Sequence, residues 1–229
     1  MWISHMPHGE TGLRTSHLKG RVLHESHSGA STLTGSDTRD HRRHRRFPER
    51  LAFTLNNRIR KLLQPPDRLI SKIGIRSSDV VMDFGCGPGF YTIPLARIAL
   101  RTIAVDVSPR MLEKTASNAR KNGVTVELVR SDGADIKLAD ESVDVVFLHH
   151  VFHEIEYKPR VLREFLRIIK PSGRLTIIER TRGGRLFGGK LGPPIIDQTE
   201  VTQEIQQAGF TLAQTIRDGN DSIIVGQKP

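Results

Sequence analysis

The sequence predicts an α/β fold: a seven-stranded, mostly parallel sheet with helices on both faces and a C-terminal antiparallel hairpin. Three observations carry this expectation. Five short apolar runs, at 79–84, 101–107, 124–130, 143–149 and 174–180, are nearly continuous in hydrophobicity, the pattern of strands covered on both faces of a parallel sheet. Helical periodicity fills the intervals at 89–99, 109–122 and 157–170, so strand and helix alternate as in a parallel sheet covered on both faces. At the end, candidate strands 210–217 and 221–227 are separated only by Asp218-Gly219-Asn220, a link that permits a hairpin and no parallel return.

The elements follow in order from residue 47. "PERLAFTLNNRIRKLLQ" places Leu51, Leu55, Ile59, Leu62 and Leu63 at helical spacing opposite the basic Arg58, Arg60 and Lys61. "PPD" ends that helix and opens another, since Pro66 suits a first turn; Leu69, Ile70 and Ile73 form its apolar stripe and Gly74 its stop. Residues 47–78 are thus expected to be an N-terminal helical cap ahead of a domain spanning 79–229. Asn122-Gly123 and "KPSG" (170–173) close the second and third crossover helices, and a last helix at 199–208 leads into the hairpin.

The first 46 residues differ from all of this. They hold eight Lys/Arg against four Asp/Glu, and seven of the ten histidines, with no sustained hydrophobic period. Such a segment buries too little apolar surface to offset its ordering entropy, so a disordered, basic, His-rich tail is expected. The whole chain of 229 residues carries a formal charge of +10. A basic excess raises the question of acidic partners, and "HRRHRR" (41–46) is the run that would meet nucleic acid, although a solvated tail is the favoured reading. The single Cys86 excludes an internal disulfide framework and multi-cysteine zinc sites. "MWISHMPHGE" lacks the apolar core of a signal peptide and no apolar run is long enough for a membrane span, so a cytoplasmic protein is expected.

"VMDFGCGPGF" (81–90) carries the first chemistry. Gly85, Gly87 and Gly89 follow a strand and open a helix, the place where backbone amides approach a nucleotide. A dinucleotide fingerprint needs G-x-G-x-x-G, however, and Phe90 stands where the third glycine belongs. Asp83 at the strand end would repel a pyrophosphate and favour an ammonium or sulfonium group. Asp106 ends the second strand, where a carboxylate accepts from ribose hydroxyls, and Asp132-Gly133 follows the third, within reach of an adenine edge. Together these acids and the bend describe a pocket for a phosphate-free nucleoside with a cationic group.

The motif series D-x-G-x-G-x-G (83–89), Asp106, "SDGADIKLADESVDVVFLHHVFHEI" (131–155) and "VLREFLRIIKPSGRLTIIER" (161–180) resembles that of class I S-adenosylmethionine-dependent methyltransferases, with their Rossmann-like fold. It is most similar to the small-molecule type that includes ubiquinone/menaquinone C-methyltransferases. The resemblance implies S-adenosyl-L-methionine as cofactor and methyl transfer to a small-molecule acceptor. It further implies that Gly85, Cys86, Gly87 and Gly89 pass the methionine moiety, with Asp83 supporting its amino group. Asp106 would hold the ribose, Val107 or Met111 would pack on the adenine, and Asp132 with Gly133 would meet its edge, His149 closing the set; Met111 by itself reads first as core, since a Met at helical spacing is more often that.

"HHVFHEI" (149–155) would then face the transferred methyl, with His149, His150 and His153 as candidate general bases or acceptor contacts, or as groups that cap and pack the loop. A metal centre is not expected: the spacing H-H-x-x-H-E differs from H-E-x-x-H and no further ligand is suggested elsewhere. The Asn/Asp-Pro-Pro-Tyr motif of nucleic-acid amine methylation is absent. RNA or protein acceptors, a non-catalytic binding protein on the same fold, and an NAD-dependent oxidoreductase remain the alternatives. Binding of S-adenosylmethionine but not NAD separates the last. The glycine-rich stretch 180–194 is expected to cover the acceptor pocket, and the oligomeric state is not legible.

Overall fold

The computed structural model describes residues 66–182 and 194–229. The expected tail at 1–46, the first helix of the cap and most of the 180–194 stretch lie outside the described residues. Among those described, helix α1 (Pro66–Ile73) comes first, closed by Gly74 at φ 61°. A residue with positive φ is the usual end of a helix, and glycine takes it without a Cβ clash.

Strand β1 (Val80–Phe84) leads through the glycine bend into α2 (Thr92–Ala96), then β2 (Arg101–Asp106), α3 (Pro109–Lys121) and edge strand β3 (Glu127–Arg130). The second half comprises β4 (Val143–His149), a single 3₁₀ turn (Phe152–Glu154), α4 (Lys158–Ile168) and β5 (Ile169–Arg180). Helix α5 (Gln198–Gln207) and strands β6 (Thr211–Asp218) and β7 (Asp221–Gln227) complete it.

The seven strands form one sheet in the order β3-β2-β1-β4-β5-β7-β6, parallel from β3 through β5 and antiparallel at β5–β7 and β7–β6. The predicted fold class is therefore correct, including the hairpin. What the periodicity could not show is that β7 inserts between β5 and β6. No described helix is long and apolar enough to cross a membrane.

Pleating sorts the core onto two faces. Met82, Phe84 and Ile103 pack with Leu162 and Phe165 of α4 and Ile205 of α5. Val81, Val145 and Phe147 pack on the other face with Ile70 of α1 and Leu95 of α2. Helix α4 buries Val161, Leu162, Phe165 and Ile168 almost completely. Each such side chain contributes roughly 1.5–3 kcal/mol of burial free energy, so tertiary packing rather than local propensity holds this helix.

Some boundaries differ from expectation for identifiable reasons. The first crossover helix, expected at 89–99, is regular only over 92–96. Beyond it Arg97 and Ile98 donate to Pro94 and Leu95, three residues back, which tightens the chain. Strand β3 starts at Glu127, not 124, because the Val124 N–H turns back to Ala119 and closes α3. Strand β5 starts at Ile169 instead of 174, since Ile169 already pairs with Val143 ahead of a bulge.

Order and direction fix where a ligand goes. Strand order reverses between β1 and β4, and in open α/β sheets the crevice lies beyond the carboxyl ends of the strands at that point. The glycine bend, Asp106 and His149–His150 all leave that edge.

Candidate functional site

The bend after β1 is shaped by main-chain groups. Gly85 and Cys86 N–H both donate to the Val105 carbonyl of β2 (2.8 and 3.0 Å), and Gly87 N–H donates to Asp106 Oδ2 (2.9 Å). From α3, Thr115 Oγ1 donates to the Gly87 carbonyl and Asn118 Nδ2 to the Pro88 carbonyl, each at 2.8 Å. Neither clamp was foreseen from the sequence.

The glycines differ in what they are needed for. Gly85 has φ 72°, and a Cβ there would lie 2.5 Å from Val151 Cγ2, so side-chain absence lets the bend seat against the chain after β4. Gly87 has φ 53° and nothing within 4 Å of a Cβ position. That open space, beside the Asp106 carboxylate at the strand edge, fits a ligand passing over the main chain. Gly89 at φ 86° closes on Thr115 of α3. The Cys86 side chain packs in a small cluster with Ala104 and Leu112, leaving its main chain as the part facing the bend. Burial, with Asp83 and Asp106 adding to it, raises its thiol well above the usual range, so it is no nucleophile.

Asp83 lies on the α2 face of β1, 3 % exposed, and Thr92 Oγ1 donates to its Oδ2 at 2.5 Å. Burial pushes its pKa up to about 7; the Thr92 hydrogen bond opposes that, and Asp106 adds to it. Neither neighbour is cationic, so a ligand cation would favour the ionised carboxylate. Asp106 Oδ1 accepts from Ser108 N–H (2.9 Å), so both its oxygens are oriented by main-chain donors. Val107 is exposed while Met111 is buried, which makes Val107 the available apolar surface.

Asp132 is exposed and turns back on Ala134 N–H (3.0 Å). Gly133, at φ 92°, has a packing reason of its own: a Cβ would come within 2.8 Å of Phe84 and Val161.

Across the cleft, His149 ends β4 with Nε2 3.0 Å from the Tyr91 hydroxyl. Its ring is tilted against Tyr91 (4.4 Å between centroids) and against His150 (4.1 Å). His150 sits at φ 55°, held there by its N–H donating to the Ile178 carbonyl, and its Nε2 lies 3.1 Å from Asp221 Oδ1. His153 is placed differently. Its Nδ1 is 2.9 Å from Oε2 of Glu179 and its N–H donates to Oε1, while Glu179 is wholly buried. Partial burial raises the Glu154 carboxyl; His153 opposes this, and Glu179 and Asp106 add to it.

Structure thus joins His149 and His150 to Tyr91 and Asp221, and sets His153 apart as the partner of Glu179. Sequence reading missed Tyr91, Thr92, Glu179 and Asp221. An acid inside the apolar run "TIIER" was the signal for Glu179. For Asp221 the signal was its place just after the hairpin turn, but its meaning depends on β7 pairing with β5, with Arg180 opposite Asp221.

Comparison with known proteins bears on the family resemblance and the fold. Residues 82–177 match the family described as "Methyltransferase domain". The chain is 29% identical over 185 residues to a malonyl-[acyl-carrier protein] O-methyltransferase of Methylococcus capsulatus, covering 74% of this chain and 62% of that protein. It is 29% identical over 111 residues to a ubiquinone/menaquinone biosynthesis C-methyltransferase of Vibrio campbellii, covering 46% and 43%. The chain therefore spans less than two thirds of the length of these curated relatives. Among solved structures, a SAM dependent methyltransferase from Aquifex aeolicus superposes with a TM-score of 0.72 at 25% identity, over 80% of this chain and 100% of that one. The resemblance to class I methyltransferases drawn from the motifs is borne out.

Proposed function

We propose that this methyltransferase-domain chain is an S-adenosylmethionine-dependent enzyme that methylates a small-molecule acceptor, its catalytic domain spanning 79–229. One observation carries the reading: the bend at Gly87, open above its main chain and tied to Asp106, at the strand edge where order reverses. The names of the relatives support methyl transfer to a metabolic acceptor: one is a malonyl-[acyl-carrier protein] O-methyltransferase and another a ubiquinone/menaquinone biosynthesis C-methyltransferase. The reaction belongs in the cytoplasm on this reading, where the single thiol would stay reduced.

When bound, S-adenosylmethionine supplies a methyl on a positive sulfur, already a good leaving group, and is released as S-adenosylhomocysteine. The chain's task is alignment and exclusion of water. Gly85, Gly87 and Gly89 hold the main chain close to the methionine moiety, with Cys86 contributing its main chain and Asp83 the charge that favours a cation. Asp106 accepts from the ribose hydroxyls, Val107 borders the adenine with the buried Met111 packing behind it in the core, and Asp132 with Gly133 bounds its edge. His149 and His150 face the acceptor. His153 holds the loop through Glu179 rather than touching substrate.

Isothermal titration of the protein with S-adenosylmethionine, followed by a methyl-transfer screen over hydroxyl, carboxyl, thiol and carbon acceptors, tests the reading. Saturable one-to-one binding is expected. Absence of binding, or equal binding of NAD, overturns it.

A further inference from the structure

We propose that His149, His150 and Asp221 form a site for a divalent transition-metal cation, which holds an oxygen of the acceptor beside the methyl donor. One ligand atom from each of the three residues lies within 4.8 Å of the others. Two imidazoles and a carboxylate are the donor set that first-row divalent ions accept, and three protein ligands leave coordination positions open.

The His150 geometry points the same way. Its Nε2 is buried and forms no hydrogen bond, although Asp221 Oδ1 is only 3.1 Å away. A charge-assisted hydrogen bond would align at that distance; two ligands of one ion need not. Metal bonds of 2.0–2.1 Å at tetrahedral angles put neighbouring donors about 3.3 Å apart. Asp221 is largely buried, and the His150 ring forms an ion pair with it.

His150 also holds a left-handed backbone, φ 55°, which is unfavourable for a residue with a Cβ and persists where surrounding structure enforces it. Here the enforcing contact is the bond from His150 N–H to Ile178, and the result is an imidazole aimed at the start of β7. The Tyr91 hydroxyl on His149 supplies the kind of outer partner that orients a metal-ligating imidazole.

Placement gives the ion its task. Leu148 pairs with Phe84, so His149 leaves the sheet beside Gly85, one strand spacing of about 4.8 Å away. An acceptor hydroxyl bound to the ion loses its proton to solvent more readily. Its oxygen then bonds to the methyl carbon while the carbon–sulfur bond breaks and leaves its electron pair on sulfur. The acceptor class is therefore one with a coordinating oxygen, such as a phenol, enol or carboxylic acid. This assignment of acceptor rests on the methyltransferase reading; the metal site does not.

Cobalt(II) titration of the full-length, chelator-treated protein, followed by visible d–d absorption, tests the site. The histidines of residues 1–46 add a background, so the readout is the difference between wild type and Asp221→Asn and His150→Gln. Wild type is expected to show one saturable equivalent that both variants lose or bind at least tenfold more weakly, with Asp221→Asn keeping its melting temperature and its affinity for S-adenosylmethionine. Identical cobalt curves for wild type and Asp221→Asn overturn the site. So does a loss of turnover in Asp221→Asn without any cobalt difference, which would make Asp221 and His150 a proton-transfer pair instead. Failure of wild type to bind S-adenosylmethionine would sink the methyltransferase reading alone and leave the cobalt result intact.

Discussion

The two sides of the cleft hold their shape by different means. After β1, the glycine bend is fixed by main-chain bonds to Val105 and by clamps from Asp106, Thr115 and Asn118 onto its amides and carbonyls. After β4, beyond the main-chain bond from His150 N–H to Ile178 and that from His153 N–H to Glu179, side chains meet side chains: Tyr91 with His149, His150 with Asp221, His153 with Glu179. A main-chain cradle tolerates change in the side chains around it and can serve one cofactor across many acceptors. A cluster of side chains changes with every substitution. The two sides touch where Gly85 meets Val151.

That contact offers the strongest way to break the comparison. Gly85→Ala puts a Cβ into Val151 at positive φ, and overpacking of this kind costs about 1–3 kcal/mol. Affinity for S-adenosylmethionine is expected to fall about 100-fold, or about 2.7 kcal/mol, as read by calorimetry. Adding Val151→Ala should restore part of it. No recovery in the double variant would mean that the two sides are not joined there.

Asp83→Asn acts on the cradle alone and reverses sign between two measurements. Asp83 is raised from 3.8 to about 7 in the fold. A carboxyl raised on folding stabilises fully below its unfolded pKa, and that contribution is lost as pH rises through about 4 to 7. The Asn variant lacks this loss, so its advantage in denaturant stability over wild type grows across that window, to a few kcal/mol. Its affinity for S-adenosylmethionine should drop about tenfold, or about 1.4 kcal/mol. A stability difference independent of pH would show that Asp83 is not titrating there.

His153→Ala separates packing from chemistry on the other side. It leaves the Glu179 carboxylate, 0 % exposed, without its ring partner, and an unsatisfied buried acceptor costs about 1–3 kcal/mol. Melting temperature should fall while the pH profile of turnover keeps its shape. A lost limb in that profile would return His153 to the chemistry. The smallest change in stability belongs to Gly87→Ala, which meets no atom within 4 Å and carries only the positive-φ cost of about 1–2 kcal/mol. Cofactor binding should nevertheless weaken about tenfold. If binding held and the fold did not, the space above Gly87 would not be the ligand's.

By itself the sequence determined the strands, the hairpin and the cradle, because each is a local property. Near-continuous apolar runs read as strands covered on both faces, which holds for the inner strands but not for the largely exposed edge strand β3, and glycines at 85, 87 and 89 permit the positive φ values of 72°, 53° and 86° that the bend adopts. Asp83 and Asp106 were legible for the same reason, since the acids at the carboxyl end of a strand are known once the strand is. The protonation of Asp83 was not, because burial under α2 and the Thr92 hydroxyl set it. Nor was the division of the three histidines: His153 went to a buried glutamate of β5, while His150 met Asp221. That outcome required β7 to insert antiparallel beside β5, which brings the first residue after the hairpin turn to the binding edge of the sheet. Strand order is decided by how helix and sheet faces pack over the whole chain, and no stretch of sequence short enough to read as a motif contains it.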